Sequence, residues 1–228
     1  GMLTIAAIDV AIGSVQILRG FSLEVPTGTM VGLTGRNGAG KTTVMRTVMG
    51  HLQPSRGTIR FDDHDLVSLA RHRRAALGIG YMPEDRGLVP ELTVEENILL
   101  PVWVSPTLKA GDRLGFVYEV LPELREMRER KALLLSGGQQ KLVALARALA
   151  VGTRLLLLDE PFEGVAPALA ERLSDVIGGL RGSQLSVLIS QSEMNHSAQL
   201  LDREVVIERG ANGGGWSGSP GCTRLSCR

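Results

Sequence analysis

The segment Gly35 to Thr43 reads GRNGAGKTT and limits what the chain can become. It follows a compact apolar run, MVGLT, and opens KTTVMRTVMG, in which Val44, Met45, Val48 and Met49 share one helical face. Strand, glycine loop and helix in this order are the setting that a G-x-x-x-x-G-K-[ST] phosphate loop requires. Glycines let the backbone curl so that successive N–H groups and the helix N-terminus face an anion. The expected phosphate ligands are therefore the backbone from Gly35 through Asn37, Gly38, Ala39 and Gly40, with the Lys41 ammonium, Thr42 and Thr43. The Thr42 hydroxyl is the expected magnesium ligand. A glycine turn with a chance lysine would not need a strand before it and a helix after it.

The remaining chain reads as alternating elements. LTIAAIDV and FSLEV, separated by Gly13 and Gly20, have the pattern of antiparallel strands. PSRGTIRFD reads as a turn and strand, and ALGIGYMPED as a short apolar run halted by Pro83. Residues 91 to 135 differ: TVEENILL and VYEVLPELREMRER are helical, with Pro101, Pro106 and Pro122 as expected breaks, so an inserted helical subdomain is predicted. Helical spacing returns at Leu142, Leu145, Ala146 and Leu149. LLLLDE and SVLIS read as buried strands joined by an amphipathic crossover helix at Leu169, Leu173, Val176, Ile177 and Leu180. The expected fold is α/β, a mainly parallel P-loop sheet flanked by helices, with an N-terminal antiparallel β subdomain. One domain over residues 1–210 is expected, followed by a Gly- and Ser-rich disordered tail over 211–228.

Composition narrows the functions. A formal net charge of +1 over 228 residues, with both signs interspersed, gives no electrostatic footprint for nucleic acid. The two cysteines, Cys222 and Cys227, cannot complete a four-ligand zinc site, and a reducing cytoplasmic setting is expected. No apolar run is long enough to span a bilayer, and no signal peptide is legible.

Two further motifs carry chemistry. In LLLLDE, a buried strand delivers Asp159 to the sheet edge as a second magnesium ligand, and Glu160 follows it on the other face to address the attacking water. The stretch LLLSGGQQKL places Ser136 as an N-cap candidate. Gly137 and Gly138 are poor helix formers that expose N–H groups to an anion, so this loop either starts a helix or serves a second site.

The phosphate loop, LSGGQQ and LLLLDEP together resemble the ABC ATPase family over about residues 3 to 210. YMPEDRGLVPELTVEENILL, the spacing from Glu84 to Ser136, and DEPFEGVAPALAERL are similar to the ATP-binding subunits of branched-chain amino acid importers and related amide or urea importers. The resemblance implies ATP and Mg2+ as cofactors, and head-to-tail packing against a second ABC ATPase subunit, identical or different. Ser136, Gly137 and Gly138 would then close on the partner's γ-phosphate. It also implies transmembrane permease subunits and, indirectly, a solute-binding protein, with the chain peripheral on the cytoplasmic face of the membrane. Leu92, Val94 and Trp103 would face the permease, with core packing an equal alternative for Trp103.

Four positions depart from the family pattern. Ile12 stands where an aromatic ring usually stacks on adenine, which leaves aliphatic packing. Glu84 replaces a glutamine and can still ligate a hard cation and approach the attacking water. Ala166 replaces an aspartate of the dimer link. Gln191 replaces a γ-phosphate-sensing histidine and keeps hydrogen bonding without a titratable charge. Catalytic roles are expected for Glu160, Gln191 and Glu84, and none for His196. Two other readings are a soluble ABC ATPase of nucleic-acid repair or translation, and a regulatory module impaired in hydrolysis.

Overall fold

The computed structural model describes residues 2–192 and 199–213. His196, Cys222, Cys227 and the tail from residue 214 onward lie outside them. Two sheets organise the fold. The first is antiparallel, in the order β2–β1–β4–β5, from strands β1 (Leu3–Ile12), β2 (Val15–Val25), β4 (Arg56–Phe61) and β5 (His64–Asp65). The second has the order β10–β9–β3–β8–β7–β6. It comprises β3 (Met30–Thr34), β6 (Ile79–Met82), β7 (Leu155–Asp159), β8 (Ser186–Gln191), β9 (Arg203–Glu208) and β10 (Ala211–Asn212). Every pairing in it is parallel except β9 with β10.

The period of two in the central strands decides how the layers form. In β7, Leu156 and Leu158 enter one apolar cluster while Leu155 and Leu157 enter the other. β8 divides likewise, Val187 and Ile189 on one face and Leu188 on the opposite. Helix α1 (Lys41–Val48) inserts Val44, Met45 and Val48 between the two sheets. The other face is covered by α3 (Val94–Trp103), α4 (Ala110–Val120), α6 (Gly137–Val151) and α7 (Pro167–Gly179). The described residues also form the short α2 (Arg73–Ala76) and α5 (Pro122–Glu126) and a 3-10 turn at Ala132–Leu134.

Several expectations are corrected. Gly20 does not separate two strands: β2 runs through it, with Gly20 in a left-handed conformation at φ 62. Pro101 does not break its helix, because α3 continues to Trp103. Buried Ile98, Leu99 and Val102 hold that turn against α6 despite the lost backbone donor. Val94 is fully buried in the core and cannot face a partner, whereas Trp103 is 54% exposed, which removes core packing as its explanation. The expected tail begins too early, since Ala211 and Asn212 pair with β9, and the Asn212 amide exchanges hydrogen bonds with the Ser22 backbone.

Candidate functional site

Parallel strands bring chemistry to their C-terminal ends, and here β3, β6, β7 and β8 all end at one place. The loop after β3 curls at Gly38 (φ 84) and Gly40 (φ 114) before α1 begins. Gly35 admits no side chain, because a Cβ there would lie 2.6 Å from the Ile207 carbonyl oxygen. The N-terminus of α1 then opens on a cavity of about 290 Å³ lined by Ile17, Asn37, Gly38, Gly40, Lys41, Thr42, Thr43, Glu84 and Glu160.

Lys41 is buried. Its Nζ donates to the Gly35 carbonyl, lies 2.7 Å from Glu160 Oε1 and 3.1 Å from Ser192 Oγ. The Thr42 hydroxyl donates to Asp159 Oδ2 at 2.8 Å, and Ser190 donates to the other carboxylate oxygen. Burial pushes the Asp159 carboxyl up, and these two hydrogen bonds oppose that shift. Burial, followed by the charges of Asp159, Glu163 and Glu160, also pushes Glu84 up. A cation among these oxygens would relieve that repulsion. The described residues contain no cluster of three or more acidic, His or Cys side chains arranged as a metal site. Thr42 and Asp159 supply two hard oxygen ligands that fit Mg2+, leaving the remaining positions to phosphate and water oxygens.

Glu160 turns out of β7 with φ 50, a left-handed conformation costly for a residue with a side chain. Two contacts hold it there: its N–H donates to Ser190 Oγ at 2.8 Å, and its carbonyl accepts from the buried Lys141 Nζ at 3.2 Å. Burial pushes the Lys141 ammonium down, opposed by Glu84, Glu163 and Glu160.

Ser136 caps α6 with a complete capping box, accepting from the Gln139 N–H while the Gln139 side chain accepts from the Ser136 N–H. The loop is thus a helix start, and it does not line the cavity. Ser136 and Gly137 are exposed, free to meet another molecule. The same helix reaches the Glu84 segment: Arg86 donates to the Gln140 side chain at 3.3 Å, and Arg147 donates to the Arg86 and Gly87 carbonyls.

Two expected site residues stand apart. Ile12 ends β1 and is 44% exposed, and Ile17 of β2 lines the cavity in its stead. Gln191 is buried with its Nε2 on Thr34 Oγ1 at 3.1 Å, and its Oε1 has no hydrogen-bond partner among the described residues. Ala166 is the exposed residue preceding α7 and offers no side-chain cap. Ile17, Lys141, Ser190 and Ser192 were not legible as site residues. Lys141 alone left a trace, as a lysine among the apolar positions of α6.

Known proteins resemble the chain over most of its length. The family model described as ABC transporter matches residues 18–163. A high-affinity branched-chain amino acid transport ATP-binding protein, BraG of Pseudomonas aeruginosa, is 35% identical over 92% of this chain and 90% of its own length. The lipopolysaccharide export system ATP-binding protein LptB of Escherichia coli K12 is also 35% identical, over 86% of this chain and 82% of its own. Among solved structures, a nucleotide-free ATP-binding cassette from an ABC transporter superposes with a TM-score of 0.81 at 26% identity, covering 93% of this chain and 90% of that one.

Proposed function

The chain belongs to the ABC transporter family as an ATP-hydrolysing subunit, and from that premise we propose that it drives an importer of branched-chain or related hydrophobic amino acids or small amides. The observation that carries the ATPase assignment to particular residues is the convergence of Lys41, Thr42, Asp159 and Glu160 at the ends of parallel strands around one cavity. The phosphate loop and Lys41 bind the triphosphate; Thr42 and Asp159 would hold Mg2+, which when bound would neutralise the phosphate oxygens. Glu160 takes the proton of the attacking water once phosphate has drawn Lys41 away.

Two chains, or this chain and a second ATPase, pack head to tail so that Ser136, Gly137 and Gly138 complete the opposite site. The exposure of this loop and its absence from the lining of the chain's own cavity support that reading. Permease subunits dock on a groove of about 960 Å³ between α1, β6 and α3, where Arg46, Arg71 and His51 face Leu100, Pro101 and Val104. Exposed Trp103 and Val104 extend its apolar rim. A solute-binding protein acts through the permease. No described helix is long and apolar enough to cross a membrane, so attachment is peripheral and comes from these partners.

The similarity to LptB favours a second reading, export of a lipid-linked substrate. Reconstitution with candidate permease subunits separates the two. Uptake of radiolabelled leucine that stops in Glu160→Gln supports import. ATP turnover without uptake, accompanied by release of lipopolysaccharide to an acceptor, supports export. Equal turnover in wild type and Glu160→Gln would remove the catalytic assignment.

A further inference from the structure

In β9 the alternation of REVVIE sets Val205 and Ile207 against the cluster shared with the antiparallel sheet, so Glu204 and Val206 turn to the opposite face. A carboxylate thus stands where a strand inside the fold would carry an apolar side chain. Glu204 is 2% exposed, and neither of its carboxylate oxygens has a hydrogen-bond partner among the described residues. Burial of such a group costs stability, and a positively charged ligand would offset that cost.

Glu204 lines a cavity of about 770 Å³ that the phosphate loop from Gly35 to Ala39 also lines. It is distinct from the cavity holding Lys41 and Glu160 but shares Asn37 and Gly38 with it. Its volume is that of a small-molecule site. Exposed Arg36, Arg209 and Glu208 add their charges, and none of the three has an ion pair or a side-chain hydrogen bond among the described residues. Two guanidinium groups and two carboxylates sum to no net charge, and Val206 and Ile207 make part of the lining apolar. Such a set favours neither a net anion nor a net cation. It suits a small zwitterion with an apolar side chain.

We propose that this cavity binds a free aliphatic α-amino acid, and that amino acid and nucleotide influence each other's binding through the phosphate loop. The ammonium draws the Glu204 carboxylate to the cavity wall and pairs with it. The ligand carboxylate pairs with Arg36 and Arg209, and its side chain lies on Val206 and Ile207. Holding Arg36 restrains the next two residues, Asn37 and Gly38, which border both cavities. Any effect of one ligand on the affinity of the other is reciprocal.

The choice of an aliphatic amino acid rests on the importer reading, whereas the zwitterionic class comes from the charges of the cavity. Calorimetry of the full chain uses leucine, isocaproate, which lacks the ammonium, and isoamylamine, which lacks the carboxylate. Leucine is expected to bind, and each of the other two about tenfold more weakly or worse, the size of a lost charged hydrogen bond. Glu204→Gln should lose about tenfold in leucine affinity and keep the Mg-ADP affinity measured without leucine. In wild type, saturating leucine should change the Mg-ADP affinity by about fivefold or more, and Mg-ADP should change the leucine affinity by the same factor. Should Glu204→Gln fail to fold, Arg209→Gln, on the exposed turn after β9, gives the same comparison. A wild-type chain that binds Mg-ADP but no leucine would overturn the proposal, even where a reconstituted transporter takes leucine up and the importer reading stands. Leucine affinity unchanged in both variants, isoamylamine binding as tightly as leucine, or Mg-ADP affinity indifferent to leucine would overturn it as well. Leucine binding that depends on Glu204 in a chain whose transporter takes up no leucine would keep the site and remove the importer reading.

Discussion

Glu160 shows how much one residue can ask of its surroundings. A left-handed backbone, a carboxylate against Lys41 and a carbonyl on Lys141 are held together by partners from β8, α1 and α6. Asp159, one residue earlier, depends on the Thr42 and Ser190 hydroxyls, and both hydrogen bonds require an acceptor. Asp159→Asn presents a donor to one of them, so magnesium-dependent nucleotide affinity is expected to fall at least tenfold with the fold retained, as titration with and without magnesium would show. A different residue gives a stability prediction. Glu204 in β9 is 2% exposed, and neither carboxylate oxygen has a hydrogen-bond partner among the described residues. A buried polar group without a partner costs about 1–3 kcal/mol, so Glu204→Leu should raise the thermal midpoint; a lower midpoint would show that the carboxylate is paired. GRNGAGKTT and LLLLDE exposed Lys41, Thr42, Asp159 and Glu160 to sequence reasoning because their spacing fixes both the atoms and the backbone that carries them. Gln191 and Ser192 lie where β8 ends, and one residue there reverses the side-chain direction. The contacts with Lys41 and Glu160 therefore fall to the neighbour of the expected residue, and Lys141 was hidden because its target is a carbonyl, which no side-chain pattern reports.

At the level of elements, α6 joins the SGG loop to the sheet. Gly80 of β6 lets the end of α6 approach so closely that a Cβ would meet the Ala148 carbonyl oxygen at 2.1 Å and the Gly152 Cα at 2.9 Å. Both obstacles are backbone and cannot rotate away. Gly80→Ala should therefore cost about 1–3 kcal/mol, the usual penalty of overpacking, and a chemical denaturation midpoint within error of wild type would refute the contact. Farther along, Arg172 of α7 grips Glu123 of α5 with two bonds, at 2.8 and 2.9 Å, and also reaches the Val120 carbonyl. The hydrogen bonds from Arg172 pull the Glu123 carboxyl below its ordinary value. A depressed carboxylate stabilises the fold above its unfolded value of about 4.3 and loses that contribution as pH falls through the folded one. The pair is about one-third exposed, so the contribution is small, under about 1 kcal/mol. Arg172→Ala should lower stability at pH 7 by that amount and converge with wild type near pH 3; an equal deficit at both pH values would mean that Arg172 acts by packing alone. Helix and strand identities were legible here because alternation and helical spacing are strong in LLLLDE, SVLIS and the α6 stretch. Pro101 misled because packing on α6 outweighs one missing donor, and β10 was missed because Gly and Ser content said nothing of the open edge of β9.

For the whole molecule, two surfaces matter: the SGG loop, which does not line the cavity, and the groove beside α3, which shares Thr42 and Glu84 with it. The SGG loop carries a finished N-cap and has its helix dipole aimed outward, while the groove beside α3 combines arginines with exposed Trp103 and Val104. On the proposed reading, the first would meet the terminal phosphate of a neighbouring ATPase and the second a permease subunit. Whether the SGG loop acts on a second molecule is read from the molar mass in solution of Glu160→Gln with and without Mg-ATP. Blocked hydrolysis should trap the closed pair, giving a doubling of mass that depends on Mg-ATP and is abolished by Ser136→Arg. A variant that binds Mg-ATP yet keeps the mass of a single chain, or a doubled mass indifferent to Ser136→Arg, would contradict it.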